Sequence, residues 1–129
     1  MNEFETKFIN EIIVVKVDVI IATHRDAKPL WDEFESKLLF NRKVIVDLSF
    51  CSNVDSTFLG MIVKIVRRMN EKNGKLVLVF PKLVTQELFL VTGIHKIVPC
   101  YKTLPEALNS LGSKSIINHI NFDSSFQSN

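Results

Sequence analysis

The chain has 129 residues, 47% of them hydrophobic, which is enough apolar material for one packed domain and excludes global disorder. The 16 Lys and Arg against 14 Asp and Glu leave a net charge of +2, with no basic run that marks a nucleic-acid or membrane partner. Cys51 and Cys100 stand apart, with no Cys-x-x-Cys and no histidine cluster, which argues against a disulfide framework or zinc site and points to reducing cytoplasm.

The first residues, MNEFETKF, are mixed in charge and lack a signal-peptide core. Phe4–Ile9 alternates apolar and charged residues, and Ile12–Ile21 is rich in Ile and Val. With Asn10-Glu11 between them, the two read as a β-hairpin. The apolar stretch 12–22 is too short to span a bilayer and carries Lys16 and Asp18. A helix follows, with Ala27, Leu30, Trp31, Phe34 and Leu38 at helical spacing. Thr23 or Asp26 can cap it. Pro29 fits best in a first turn, which argues for Asp26.

Val44-Ile45-Val46 reads as a short buried strand ending at Asp47, followed by a loop over 48–54. In the next helix Phe58, Ile62, Ile65, Val66 and Met69 share one face, and Asn73-Gly74 ends it. KLVLVF at 75–80 is another strand. A third helix is expected over 82–92, with Val84, Leu88 and Val91 inward and Gly93 as its stop, and a last strand over 97–101. Thr103-Leu104-Pro105-Glu106 has the form of a capping box before a short final helix ending at Gly112. The Ser/Asn-rich tail 113–129 reads as poorly ordered or loosely docked, outside a domain spanning 1–112. The order ββ-α-β-α-β-α-β-α predicts an α/β fold with a mostly parallel central sheet and about four helices.

The chemistry of known site types is thin. All four glycines are isolated, so no phosphate-cradling Gly-rich loop exists. The residues around Ser56 lack the flanking glycines of a hydrolase nucleophile elbow. His24, His95 and His119 read as solvated or locally bonded imidazoles, and Glu33 and Glu35 diverge around their helix. Neither a metal nor a cofactor is expected. Asp55-Ser56-Thr57 at the mouth of a helix is different, because one side chain suffices as the N-cap and a surplus hydroxyl remains.

Asp47-Leu48-Ser49, then Asp55-Ser56-Thr57-Phe58-Leu59-Gly60, resembles the signature of the STAS domain as found in anti-sigma factor antagonists. The segment LVTQELFLVTGIHKIVPCYKTLPEAL is similar to that family's third helix, last strand and final helix, so the resemblance covers about residues 11–111. Phe58 stands where the family usually has a small residue, and IATHRDA replaces its common Gly-x-x-Asp. The resemblance implies a non-enzymatic switch whose partner is an anti-sigma factor that doubles as a serine kinase. Ser56 would be the phosphoacceptor. The unmodified protein would bind the kinase and free the sigma factor, and a metal-dependent serine phosphatase would reset it. Asp55, Thr57, Gly60, Met61 and Lys64 are the expected docking residues. Gly60 would allow close approach and Met61 an adaptable contact, unless Met61 is an edge-of-core residue. A constitutive STAS scaffold, or a domain sensing a small ligand, is the alternative.

Overall fold

The computed structural model describes residues 3–81 and 89–112. The elements run β1 (Phe4–Ile9), β2 (Ile12–Val17), β3 (Ile21–Ala22), α1 (His24–Ser36), β4 (Lys43–Asp47), β5 (Asn53–Val54), α2 (Ser56–Glu71) and β6 (Lys75–Val79). Then come α3, described at residues 89–91, a 3-10 turn (Ile94–Lys96), β7 (Cys100–Tyr101) and α4 (Leu104–Ser110). The main sheet has the order β1-β2-β4-β6-β7. Among the described strands only the β1–β2 hairpin is antiparallel, in register Ile9 to Ile12 across Asn10-Glu11. Asn10 takes φ +55°, a left-handed conformation that asparagine tolerates.

Strand alternation divides the core. Ile13, Val15, Val17, Val44, Val46, Leu76 and Leu78 face one layer, formed by α1, α2 and residues 89–98. Ile12, Val14, Ile45, Val77 and Val79 face the other, where Ala107 and Leu111 of α4 cover them. The predicted stripe on α2 is buried throughout, and Leu59 joins it.

Several expectations are corrected. The strand expected over 12–21 breaks after Val17, and Ile21–Ala22 pairs instead with Asn53–Val54 in a separate two-stranded sheet. Thr23, not Asp26, is the N-cap of α1. Its side chain accepts from Arg25 N–H at 3.3 Å, while the buried Asp26 reaches back to Thr23 N–H at 2.9 Å. Pro29 therefore lies inside the helix and withholds one hydrogen bond. These two bonds, with a third to His24 N–H described below, hold the helix start. The Thr103 box closes differently: its hydroxyl accepts from Glu106 N–H, but the Glu106 carboxylate accepts from Lys102 N–H.

Leu38 is not in the core. It follows the helix with φ +57° and is 76% exposed, while Leu39 is fully buried in its place. Leu39 N–H donates to Phe34 C=O at 2.9 Å and Leu38 N–H to Glu35 C=O at 3.3 Å, the bond pair of a Schellman stop that favours glycine at position 38. Asn73 fills the same role after α2, and at Gly74 a Cβ would overlap the Phe40 carbonyl. Val91 is 79% exposed, and Phe89 is the inward residue, set edge-on against Phe80. Gly93 does end α3, at φ +80°. The last strand holds only Cys100–Tyr101, because Ile97 N–H and Val98 N–H both turn back to Ile94 C=O. Val84, Leu88 and the tail 113–129 lie outside the described residues.

One carboxylate ties the hairpin to α1. Burial pushes the Glu33 carboxyl up, but hydrogen bonds from Lys37 (2.8 Å) and Thr6 outweigh it and hold the group below its ordinary value.

Two outcomes follow from these local features. Leu38→Gly should raise stability by about 0.5–1 kcal/mol, a few degrees in Tm, because strain is relieved and almost no burial is lost; a drop in Tm contradicts this reading. Because the folded-state pKa of Glu33 is depressed, its contribution is present above the ordinary carboxylate range and fades as pH falls through the lowered value. Urea titrations should show Glu33→Gln costing about 0.5–1 kcal/mol at pH 7 and progressively less as the medium is acidified; a gap that widens with acid contradicts it.

Candidate functional site

The loop between β4 and α2 is pinned at each step. Asp47 accepts from Ser49 N–H at 3.0 Å, Leu48 N–H donates to Val79 C=O, and Leu48 and Cys51 are sealed in the core. Ser52 then bonds through its N–H and its hydroxyl to Ile20 C=O, β5 pairs with β3, and Asp55 N–H donates to Ala22 C=O at 2.9 Å. These bonds fasten the entry to α2 onto the entry to α1, so two helix N-termini emerge side by side.

Asp55 serves both. Its Oδ1 accepts from Phe58 N–H of its own helix at 2.8 Å, and its Oδ2 accepts from His24 N–H, the first residue of α1, at 3.0 Å. A carboxylate is the best-suited group there, since it faces two sets of unpaired amides and the positive ends of two helix dipoles.

Ser56 is the first residue of α2 and is exposed. Among the described residues its Oγ makes no hydrogen bond, because Asp55 alone performs the cap. Thr57 is exposed beside it.

From Ser56 a shallow hollow of about 210 Å³ runs along the first two turns of α2. Ser56, Leu59, Gly60 and Val63 form one wall; Thr92, Ile94 and Ile97 form the other. A Cβ at Gly60 would meet nothing within 4 Å, so the helix tolerates a side chain there while the hollow would lose space. Met61 and Lys64 lie on the opposite shoulder, toward α1. Met61 is half-buried against the core, and the Lys64 ammonium stands 5.9 Å over the Trp31 ring. The structure thus groups Asp55, Ser56, Thr57 and Gly60 at one end, with Met61 and Lys64 on the other flank. The residues that sequence reasoning missed are Leu59, Val63, Ile94 and Ile97. The spacing 56, 59/60, 63 signals the first wall; nothing local signals the second.

Other chemistry is poorly served among the described residues. Burial pushes the Cys51 thiol up to about 12, with Asp26 and Asp47 adding to it, and burial pushes Cys100 up to about 12 as well. Such thiols are not nucleophiles. No group of three His, Cys, Asp or Glu is placed to hold a metal ion, and no helix is long and apolar enough to cross a membrane. A larger hollow of about 370 Å³ lies at the far end of α2, among Leu38, Phe40, Arg68 and Lys72, but Arg68 is paired with Glu71 and no nucleophile lines it. The smaller hollow is the better candidate because it adjoins the unbonded hydroxyl.

The STAS domain profile matches residues 3–107. A Thermotoga neapolitana protein described as a candidate anti-sigma factor antagonist is 28% identical over 111 residues, covering 84% of this chain and 96% of its own. The fold is shared with an anti-sigma-factor antagonist (STAS) domain protein from Planctomyces limnophilus, at TM-score 0.73 and 21% identity over 87% of this chain and 99% of that one. It is shared too with the phosphorylated form of the Bacillus cell fate determinant SpoIIAA, at TM-score 0.61 and 16% identity over 84% and 98%. The profile spans most of the chain, and the chain belongs to the STAS domain family.

Proposed function

We propose that this protein is a phosphorylation-gated anti-sigma factor antagonist acting in the cytoplasm, with Ser56 as phosphoacceptor and no catalysis of its own. The unmodified form binds an anti-sigma factor that is also a serine kinase, and so releases a sigma factor. Phosphorylation of Ser56 ends that binding, and a metal-dependent serine phosphatase restores it. The observation that carries this reading is the Ser56 hydroxyl: exposed, without a hydrogen bond among the described residues, and beside an apolar hollow.

The energetics fit a switch that alters a surface and leaves the fold alone. A phosphoserine brings about −1.5 to −2 charges. The helix N-terminus favours it by roughly 0.3–1 kcal/mol, and the adjoining Asp55 carboxylate opposes it, so effects within the chain nearly cancel. The cost falls on the complex, where a dianion buried against an unprepared partner loses several kcal/mol. A loss of about 2.8 kcal/mol already weakens binding a hundredfold.

Incubation with the cognate kinase and ATP, read by intact mass, should add one phosphate that is absent in Ser56→Ala. Full labelling of Ser56→Ala would refute the assignment. Ser56→Asp should bind the kinase at least tenfold more weakly, a loss of about 1.4 kcal/mol; unchanged affinity would contradict a charge-based gate.

A further inference from the structure

We propose that the hollow beside Ser56 seats an apolar side chain from a partner segment that carries carboxylates next to it, and that Ser56 phosphorylation works by repelling those carboxylates. The second clause rests on the proposed phosphorylation of Ser56; the first does not.

The shape argues for a side chain. The hollow is about 210 Å³, its walls are mostly Leu59, Val63, Ile94 and Ile97, and Gly60 in the first wall leaves it open space. Ile97, in its wall, is 51% exposed, and Val91, the residue before the lining Thr92, is 79% exposed. Apolar side chains clustered around a concavity are the usual core of a docking site.

The charge argues for an acidic partner. The described wall segments, residues 56–67 and 89–97, contain no Asp or Glu, and of their Lys and Arg residues Lys64 stands on the opposite shoulder over Trp31, which leaves Arg67 and Lys96. Arg67 lies one turn beyond Val63 and continues the row from Ser56 through Gly60, while His95 and Lys96 sit between the two isoleucines; all three are exposed. The α2 N-terminus adds its own positive end. Asp55, beside Ser56, has both carboxylate oxygens occupied by backbone amides. A cationic rim around an apolar seat selects an apolar segment flanked by carboxylates. A phosphate at Ser56 adds negative charge at one end of the hollow, so the segment that fits the bare surface is the one the dianion expels.

Two twelve-residue helical peptides test this on the full chain, each with leucines four apart, one flanked by Glu and the other by Lys. Titrated into 15N-labelled protein, the Glu peptide should shift the amides of Leu59, Gly60, Val63, Ile94 and Ile97. It should bind about fivefold or more tightly than the Lys peptide. Gly60→Leu should abolish those shifts while leaving the rest of the spectrum in place. Arg67→Glu, at an exposed position, should weaken the Glu peptide and favour the Lys peptide. Ser56→Asp should lower the affinity of the Glu peptide alone. Equal binding of both peptides, shifts centred elsewhere, or indifference to both Gly60→Leu and Arg67→Glu would overturn the proposal. If the Glu peptide seats but no kinase labels Ser56, the docking site stands and the switch falls. If Ser56 is labelled and neither peptide seats, the docking site falls.

Discussion

The Asp55 carboxylate is shared between two helix starts: one oxygen accepts from Phe58 N–H in α2, the other from His24 N–H in α1. Neither helix is joined to the other at this end by a short loop, so the shared cap fixes their relative placement together with the β3–β5 pairing. The same bond explains two local departures from rule. Pro29 is accommodated inside α1 because the helix start is held from three directions, by Thr23, Asp26 and Asp55. Ser56 is freed from capping because its neighbour does that work with a stronger, charged acceptor.

A division of labour between adjacent residues follows. Asp55 is structural and occupied, whereas Ser56 is superficial and unengaged among the described residues. A modification at Ser56 therefore meets a framework that does not depend on its hydroxyl, and the consequence is carried by whatever touches the surface. The hollow along Leu59, Gly60 and Val63 adjoins that hydroxyl, and its lining carries no charged side chain.

Much of this was legible in the sequence where the signal is local. The α2 stripe, the hairpin at Asn10-Glu11 and the Asp-Ser-Thr mouth depend on neighbours within a few residues, and each is found as read. What the sequence concealed depends on distant partners. The preference of Pro29 for a first turn favours Asp26 over Thr23 as the cap, and no local rule reveals that Asp55, far along the chain, reinforces the earlier start. Leu38 fits the helical period but falls just past the point where the helix stops, since the burial of Leu39 requires the chain to turn. Val91 yields to Phe89 because the larger ring packs on Phe80. Met61 and Lys64 share helical spacing with Thr57, yet α1 claims that shoulder through Trp31, and the second wall of the hollow comes from residues 92–97, which no spacing within α2 announces.

The central claim is that one carboxylate holds both helix starts while the neighbouring hydroxyl holds neither. Native-state amide hydrogen exchange compares these directly in wild type, Asp55→Ala and Ser56→Ala. The account predicts that protection at both His24 and Phe58 falls about tenfold in Asp55→Ala, equivalent to roughly 1.4 kcal/mol, and stays unchanged in Ser56→Ala. Loss of protection confined to Phe58 in the first variant, or loss at either amide in the second, would contradict it.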